Sequence, residues 1–213
     1  MRRPARYSAA IAVLFLVAGC ASGVSTAECD GADWAALGLA DGKAGAPAKR
    51  GATRTEACVA AGFVVDADAY RRGREEGLTS YCTAKGGFAA GRSGEKYYGV
   101  CTGPDEAEFL TSHALGGKLY ALTEAKEAAI REYEAAVANL DQHRYLLRVA
   151  EKRSLKPSIS NEDREHELQD ADFRRREIDR IEGKLPEMLD AIEAAGATLD
   201  AYRIELLSMG LEL

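Results

Sequence analysis

Five cysteines carry most of the chemistry that this 213-residue sequence can do. Cys20 stands apart from the other four by its context. Arg2, Arg3 and Arg6 give a basic start, and Ala9 to Ala18 (AAIAVLFLVA) form an apolar run with the length of a secretory signal core, too short to span a bilayer as a helix. Val17-Ala18-Gly19-Cys20 then reads as a bacterial lipobox, in which small residues precede a cysteine that is alkylated by diacylglyceryl before cleavage. Cys20 is therefore the expected lipidation site, and its three acyl chains, at about 0.8 kcal/mol per buried methylene, would hold the chain on a membrane. Two rival readings are an ordinary small residue in the signal core and a cut after Ser25-Thr26-Ala27. By the sorting rule for enteric lipoproteins, Ala21 in place of Asp directs the protein to the outer membrane.

The remaining four, Cys29, Cys58, Cys82 and Cys101, make an even set, which in an oxidising compartment reads as two disulfides. Zinc is the rival, but no pair has C-x-x-C spacing and the three histidines lie far off in sequence. Of the three pairings, Cys29 with Cys58 and Cys82 with Cys101 are favoured, because each closes a short loop and contributes roughly 3 to 4 kcal/mol in the chain-entropy model.

Other chemistry is sparse. G-x-S-x-G, H-E-x-x-H and the phosphate-binding G-x-x-x-x-G-K-[ST] do not occur. Glu165-His166-Glu167 beside Asp163 is the nearest approach to a metal or acid-base cluster, but neighbouring helical residues point different ways. Asp41 and Asp66-Ala67-Asp68 look like turn and cap residues rather than calcium ligands. Arg71, Arg72 and Arg74 could hold an anion, though Glu75 and Glu76 offset them. No catalytic residue, metal site or cofactor is expected. Removal of residues 1–19 takes three arginines from the 28 basic side chains, leaving 25 against 34 acidic ones. A net charge near −9 disfavours nucleic acid as a partner.

The elements that would carry these residues fall into two parts. Up to about residue 103 the chain is rich in Gly, Tyr and Cys, and beyond it Ala, Glu, Leu and Arg take over. Within the first part Trp34, Gly38, Gly42 and Gly45 form a loose pattern that resumes at Tyr70, Gly73, Gly77 and Tyr81, and again at Phe109, Gly116, Gly117 and Tyr120. Glycines four apart leave one helix face bare for close backbone approach; alternatively they occupy turns and caps. The segment between Cys82 and Cys101 shows no helical period and is expected as a disulfide-bounded loop.

WAALGLADGKAG, DADAYRRGREEGLTSYC and GRSGEKYYGVC together resemble the bacterial lipoproteins grouped as domain of unknown function 2799. The resemblance covers roughly residues 29 to 122 and rests on Trp34, Gly38, Asp41, Gly42, Tyr70, Gly73, Gly77, Leu78, Tyr81, Cys82, Tyr98, Gly99 and Cys101. Ser112-His113-Ala114 departs from the pattern, which has a Tyr and a small spacer there. The resemblance implies an exported lipoprotein and supplies no activity.

From Asp105 to Arg153, positions three and four apart build a heptad seam through Leu115, Leu119, Leu122, Lys126, Ala129, Tyr133, Ala136, Leu140, His143, Leu147 and Ala150. Pro157 breaks the chain, and Asn161 is the expected N-cap of a second seam from Arg174 through Ile181, Leu185, Ile192, Leu199 and Leu206 to Leu213. A turn centred on Pro157 pairs Leu122 with Ile192, Ala129 with Leu185 and Ala136 with Ile178, and a one-heptad shift fits equally well. The C-terminus then returns to the cysteine-bearing part. Pro186 is expected to kink the second helix.

The expected fold is mainly α: a signal peptide (1–19), a linker (20–28), a small disulfide-stapled Gly/Tyr-rich head (29–103) and a long antiparallel helical hairpin, or coiled coil (104–213). The expected role is a non-enzymatic structural or protein-docking lipoprotein, lipid-anchored on the periplasmic face of the outer membrane. Its partner would be another envelope protein, or a second copy through the hairpin. The alternative is a peptidoglycan-binding module using Trp34, Tyr70, Tyr81, Tyr97 and Tyr98.

Overall fold

The computed structural model describes residues 28–213. The expected export segment and Cys20 lie outside the described residues. Seven helices and no strand are present among them: α1 (Trp34–Lys43), α2 (Ala48–Ala60), α3 (Ala67–Tyr81), α4 (Ala84–Arg92), α5 (Pro104–Ser154), α6 (Asn161–Glu182) and α7 (Leu185–Ser208). The chain is mainly helical, as its composition suggested.

Side-chain caps start α1, α3 and α4. Asp33 caps α1 by accepting from the Ala36 N–H, Asp66 caps α3 through Ala69, and Thr83 caps α4 through Gly86. Pro104, Asp105 and Glu106 open α5, where a missing N–H costs nothing and acidic charge suits the helix dipole.

Two helix pairs form the head, and both depend on glycine. In the first, Gly38 and Gly42 of α1 lie directly against the backbone of α3 at Tyr70 and Arg74, and Gly73 and Gly77 of α3 lie against α1 at Ala35 and Leu39. In the second, Gly87 and Gly91 of α4 meet α5 at Phe109 and His113, and Gly116 meets α4 at Phe88 and Arg92. The repeating unit is thus a helix pair, not the single segment that the spacing of Trp34, Tyr70 and Phe109 suggested. Residues 83–100 are the expected disulfide-bounded loop only in part: 93–100 are irregular, but Ala84–Arg92 form a helix. Their glycines make α4, whose helicity is secured by tertiary packing rather than by propensity.

The second half of the chain packs along α5. α5 has 51 residues, about 77 Å at 1.5 Å per residue. Leu119, Leu140 and Ala150 of α5 are buried and the other positions of the expected seam half-buried, as are Thr123, Ile130, Val137 and Leu146 beside it, while Ala171, Ile181, Leu199, Tyr202 and Leu206 are buried on α6 and α7. The facing residues differ from a turn centred on Pro157. His143 meets Phe173 instead of Ala171, and Lys126 meets Gly196 instead of Met188. The C-terminal arm is displaced past the mirror position. Its helical path is interrupted at Gly183–Lys184, where Lys184 N–H bonds Ile181 at 2.9 Å, and α7 restarts with Pro186 in its first turn. The proline therefore separates two helices rather than kinking one. Ser160, not Asn161, caps α6, accepting from the Asp163 N–H.

The C-terminal turns reach the second helix pair. Leu199, Tyr202 and Leu206 pack on Phe88 and Leu119, and the Tyr202 hydroxyl donates to the Leu115 carbonyl at 3.0 Å. Leu213, the last seam position, stays 42% exposed.

Adjacent glycines give a test of the packing. A Cβ at Gly116 would collide with the Phe88 and Arg92 backbone, whereas at Gly117 it would meet nothing within 4 Å. Gly116→Ala should destabilise by about 1–3 kcal/mol through overpacking. Gly117→Ala should instead stabilise by about 0.5–1 kcal/mol, because alanine is the better helix former. Urea unfolding of the two variants checks the opposite signs.

Candidate functional site

The disulfides pin the head at two places. Cys29 is bonded to Cys58, joining the segment before α1 to α2, and Cys82 to Cys101, joining the end of α3 to the segment before α5. Both are the favoured sequential pairings. Cys58 is fully buried beside Trp34 and Tyr70, and Cys101 is buried beside Tyr81, Ala90 and Phe109. These thiols serve structure and are not placed as nucleophiles.

The most polar buried group of the head is Asp41, 5% exposed on α1. Its Oδ2 accepts from Arg54 Nη1 at 2.6 Å and from the Tyr70 hydroxyl at 2.7 Å, and Arg50 Nε stands 3.5 Å from Oδ1. α1, α2 and α3 each contribute, so one carboxylate ties three helices together. A carboxylate engaged by two guanidinium groups and a phenol is a poor general base, because its lone pairs are already committed. Burial, and then the hydrogen bond to Asp41, push the Tyr70 phenol up to about 12. Arg74 donates through Nη2 to the Ala46 carbonyl at 2.9 Å, and the corresponding bond in the second pair runs between His113 Nε2 and the Glu95 carbonyl, also at 2.9 Å. His113, which departed from the expected family pattern, thus fastens the loop after α4 as Arg74 fastens the loop after α1.

Residues 33–118 match the family model described as "Protein of unknown function (DUF2799)". That stretch, less than half of the chain, is similar to the family. No curated protein matches the chain, and no solved structure matches it. The match takes in both glycine-packed helix pairs and runs into the first turns of α5.

Within the matched stretch the aromatic residues that could bind a glycan do not converge. Trp34 and Tyr70 lie in one buried cluster and Tyr81 in another, each 6% exposed. They fill the space beside the glycines. Tyr97 is partly buried, with its hydroxyl donating to Glu106 at 2.9 Å and accepting from the Cys101 N–H at 3.0 Å. Tyr98 alone of the five is open to solvent, 53% exposed with Lys96 Nζ 5.7 Å from its ring centre. The sequence could not reveal this, since a packing tyrosine and a ligand-facing one look alike without burial.

The other candidates are dispersed. Arg71 pairs with Asp68 across one helical turn, and Arg74 is committed to Ala46, so the arginine run makes no common anion cradle. On the long arm Arg174 pairs with Asp170, while His143 faces the Phe173 ring with its Nδ1 buried and without a hydrogen bond. Asp163, His166 and Glu167 line a shallow trough at the arm tip, and among the described residues no group of three or more metal-ligating side chains is placed to hold an ion.

Tyr70 supplies a pH test. Its folded value lies above the ordinary phenol value of 10, so the native state holds this proton more tightly than the unfolded chain. Its contribution is complete below pH 10 and is lost as pH rises toward about 12. Thermal unfolding should show a falling melting temperature across that window, and Tyr70→Phe should flatten the fall while lowering stability at neutral pH.

Proposed function

We propose that this chain is a lipid-anchored periplasmic lipoprotein of the outer membrane that acts, without catalysis, as a structural or docking component of the envelope. Cys20 would carry the anchor, following the basic start and apolar run of the sequence. The observation that carries the reading is the pair of disulfides, Cys29–Cys58 and Cys82–Cys101, which belong to an oxidising compartment. A lipid on Cys20 would supply the membrane attachment.

In this reading α5 and the α6–α7 segment form an antiparallel hairpin with a coiled-coil seam. Its support is a set of contacts across the arm: Arg144 with Glu182 at 2.6 Å, Glu151 with Arg175 at 2.8 Å, and Leu115 with Tyr202. Arg164 also donates to the Ser154 and Lys156 carbonyls, which ties the chain reversal at the tip. The hairpin would act as a spacer, carrying Leu155, 79% exposed, and the Pro157 turn away from the head toward an envelope protein or a second copy.

The glycan reading keeps only Tyr98 as an open aromatic and is the weaker of the two.

Anchoring is tested by cell fractionation. The native chain should sediment with outer-membrane vesicles and incorporate radiolabelled palmitate. Cys20→Ala should lose the label and leave the membrane fraction, and a Cys20→Ala chain that is processed yet still sediments with membranes would sink the proposal.

A further inference from the structure

The two helix pairs of the head are copies of one design. Gly38, Gly42 and Gly45 recur with the same spacing as Gly87, Gly91 and Gly94, and Tyr70, Gly73, Gly77 and Tyr81 recur as Phe109, Ser112, Gly116 and Tyr120. The contacts recur as well. Gly77 faces the Leu39 carbonyl and Lys43 nitrogen as Gly116 faces the Phe88 carbonyl and Arg92 nitrogen. Gly45, at φ +58°, leaves room for the Tyr81 ring, and Gly94, at φ +72°, leaves room for the Tyr120 ring.

The copies differ in what happens on the other side of the tyrosine. Beside Tyr81, Lys43, Ser80 and residues of α4 line a crevice of about 200 Å³, and on the ring itself the Phe109 side chain of α5 stands 4.9 Å away. Tyr81 is 6% exposed as a result. Beside Tyr120, Arg92 and Leu119 take the places of Lys43 and Ser80, but no following helix pair arrives to close the site. Among the described residues, Arg203 and Leu213 reach across, leaving a crevice of about 270 Å³. Tyr120 is 40% exposed there, and among the described residues no aromatic ring pairs with it.

We propose that the Tyr120 crevice is a docking site for a partner protein that inserts an aromatic side chain from a helix, as Phe109 of α5 does against Tyr81. The occupant follows from continuity with the interface inside the head: the same tyrosine, on the same glycine shelf, is covered in one copy by an aromatic-bearing helix and stands open in the other. The rim suits such a contact. Arg92 offers a guanidinium to a second ring, and Tyr and Arg beside a pocket are residue types that anchor protein interfaces. Leu213, itself 42% exposed, is a side chain that an incoming ring can displace at little cost. The proposal rests on the reading of the chain as a docking protein and moves the contact from the arm tip to the head.

The test uses the full chain in its own cells, with a benzophenone amino acid placed at Thr123 on the crevice rim or, separately, at Pro157. The Thr123 probe should give an adduct with one defined protein, whose cross-linked peptide carries a Phe, Tyr or Trp. Yield should fall at least tenfold on Tyr120→Ala, and equally when that partner aromatic is changed to Ala, which leaves this chain intact. No protein adduct, an adduct only with glycan or lipid, or a yield unmoved by the partner's substitution overturns the proposal. A protein adduct from Pro157 with none from Thr123 overturns the crevice while keeping the docking reading, and none from either position overturns both.

Discussion

Backbone meets backbone at the glycines of the head, and the rest of the molecule hangs on that approach. A single Cβ at Gly42 or Gly77 would enter the opposing main chain, so each helix pair exists only where both partners present bare faces. The aromatic residues beside them are the complement of this arrangement. Tyr70, Tyr81 and Phe109 fill the space that small residues leave, and their burial gives a domain with few large aliphatics a dense core. The disulfides then fasten the segments that no helix packing holds, each closing a loop of modest length.

The same geometry explains how a long arm is attached. α5 is at once the second member of a glycine-packed pair and the start of the arm, so no linker intervenes between the head and the extended helix. Leu199, Tyr202 and Leu206 of α7 close against Phe88 and Leu119, which fixes the returning part of the arm to the same helix pair. Orientation of the arm is thereby set by the head at both ends of the chain reversal. α5 alone spans about 77 Å at 1.5 Å per residue.

Much of this is legible in the sequence, and the rest is hidden for physical reasons. The least exposed positions of α5 can be read because leucine and alanine at three- and four-residue steps mark one face of a helix, and the cysteine pairing follows from short loop closure. α4 escapes because its glycines, Gly86, Gly87 and Gly91, lower helix propensity and erase the apolar period, while their packing value shows only against α5. Trp34, Tyr70 and Tyr81 are equally ambiguous, since burial is a property of the partner helix. Asp41 looks like a turn residue; its engagement with Arg54 and Tyr70 spans three helices and leaves no local signature. The alignment of the arm is hidden by a different cause, because periodicity is indifferent to a slide of one heptad and the break at Gly183–Lys184 lies outside any periodic pattern.

Native-state hydrogen exchange on the full chain, resolved by residue, tests the dependence on the glycine-packed head most directly. Amides of α1, α3, α4 and the first turns of α5 should be the slowest to exchange, opening only with global unfolding, while the middle of the arm around Ala129 to Leu140 opens at lower free energy. Protection of the arm that equals or exceeds that of the head, or early exchange at Gly42, Gly77 and Gly116, would contradict the account.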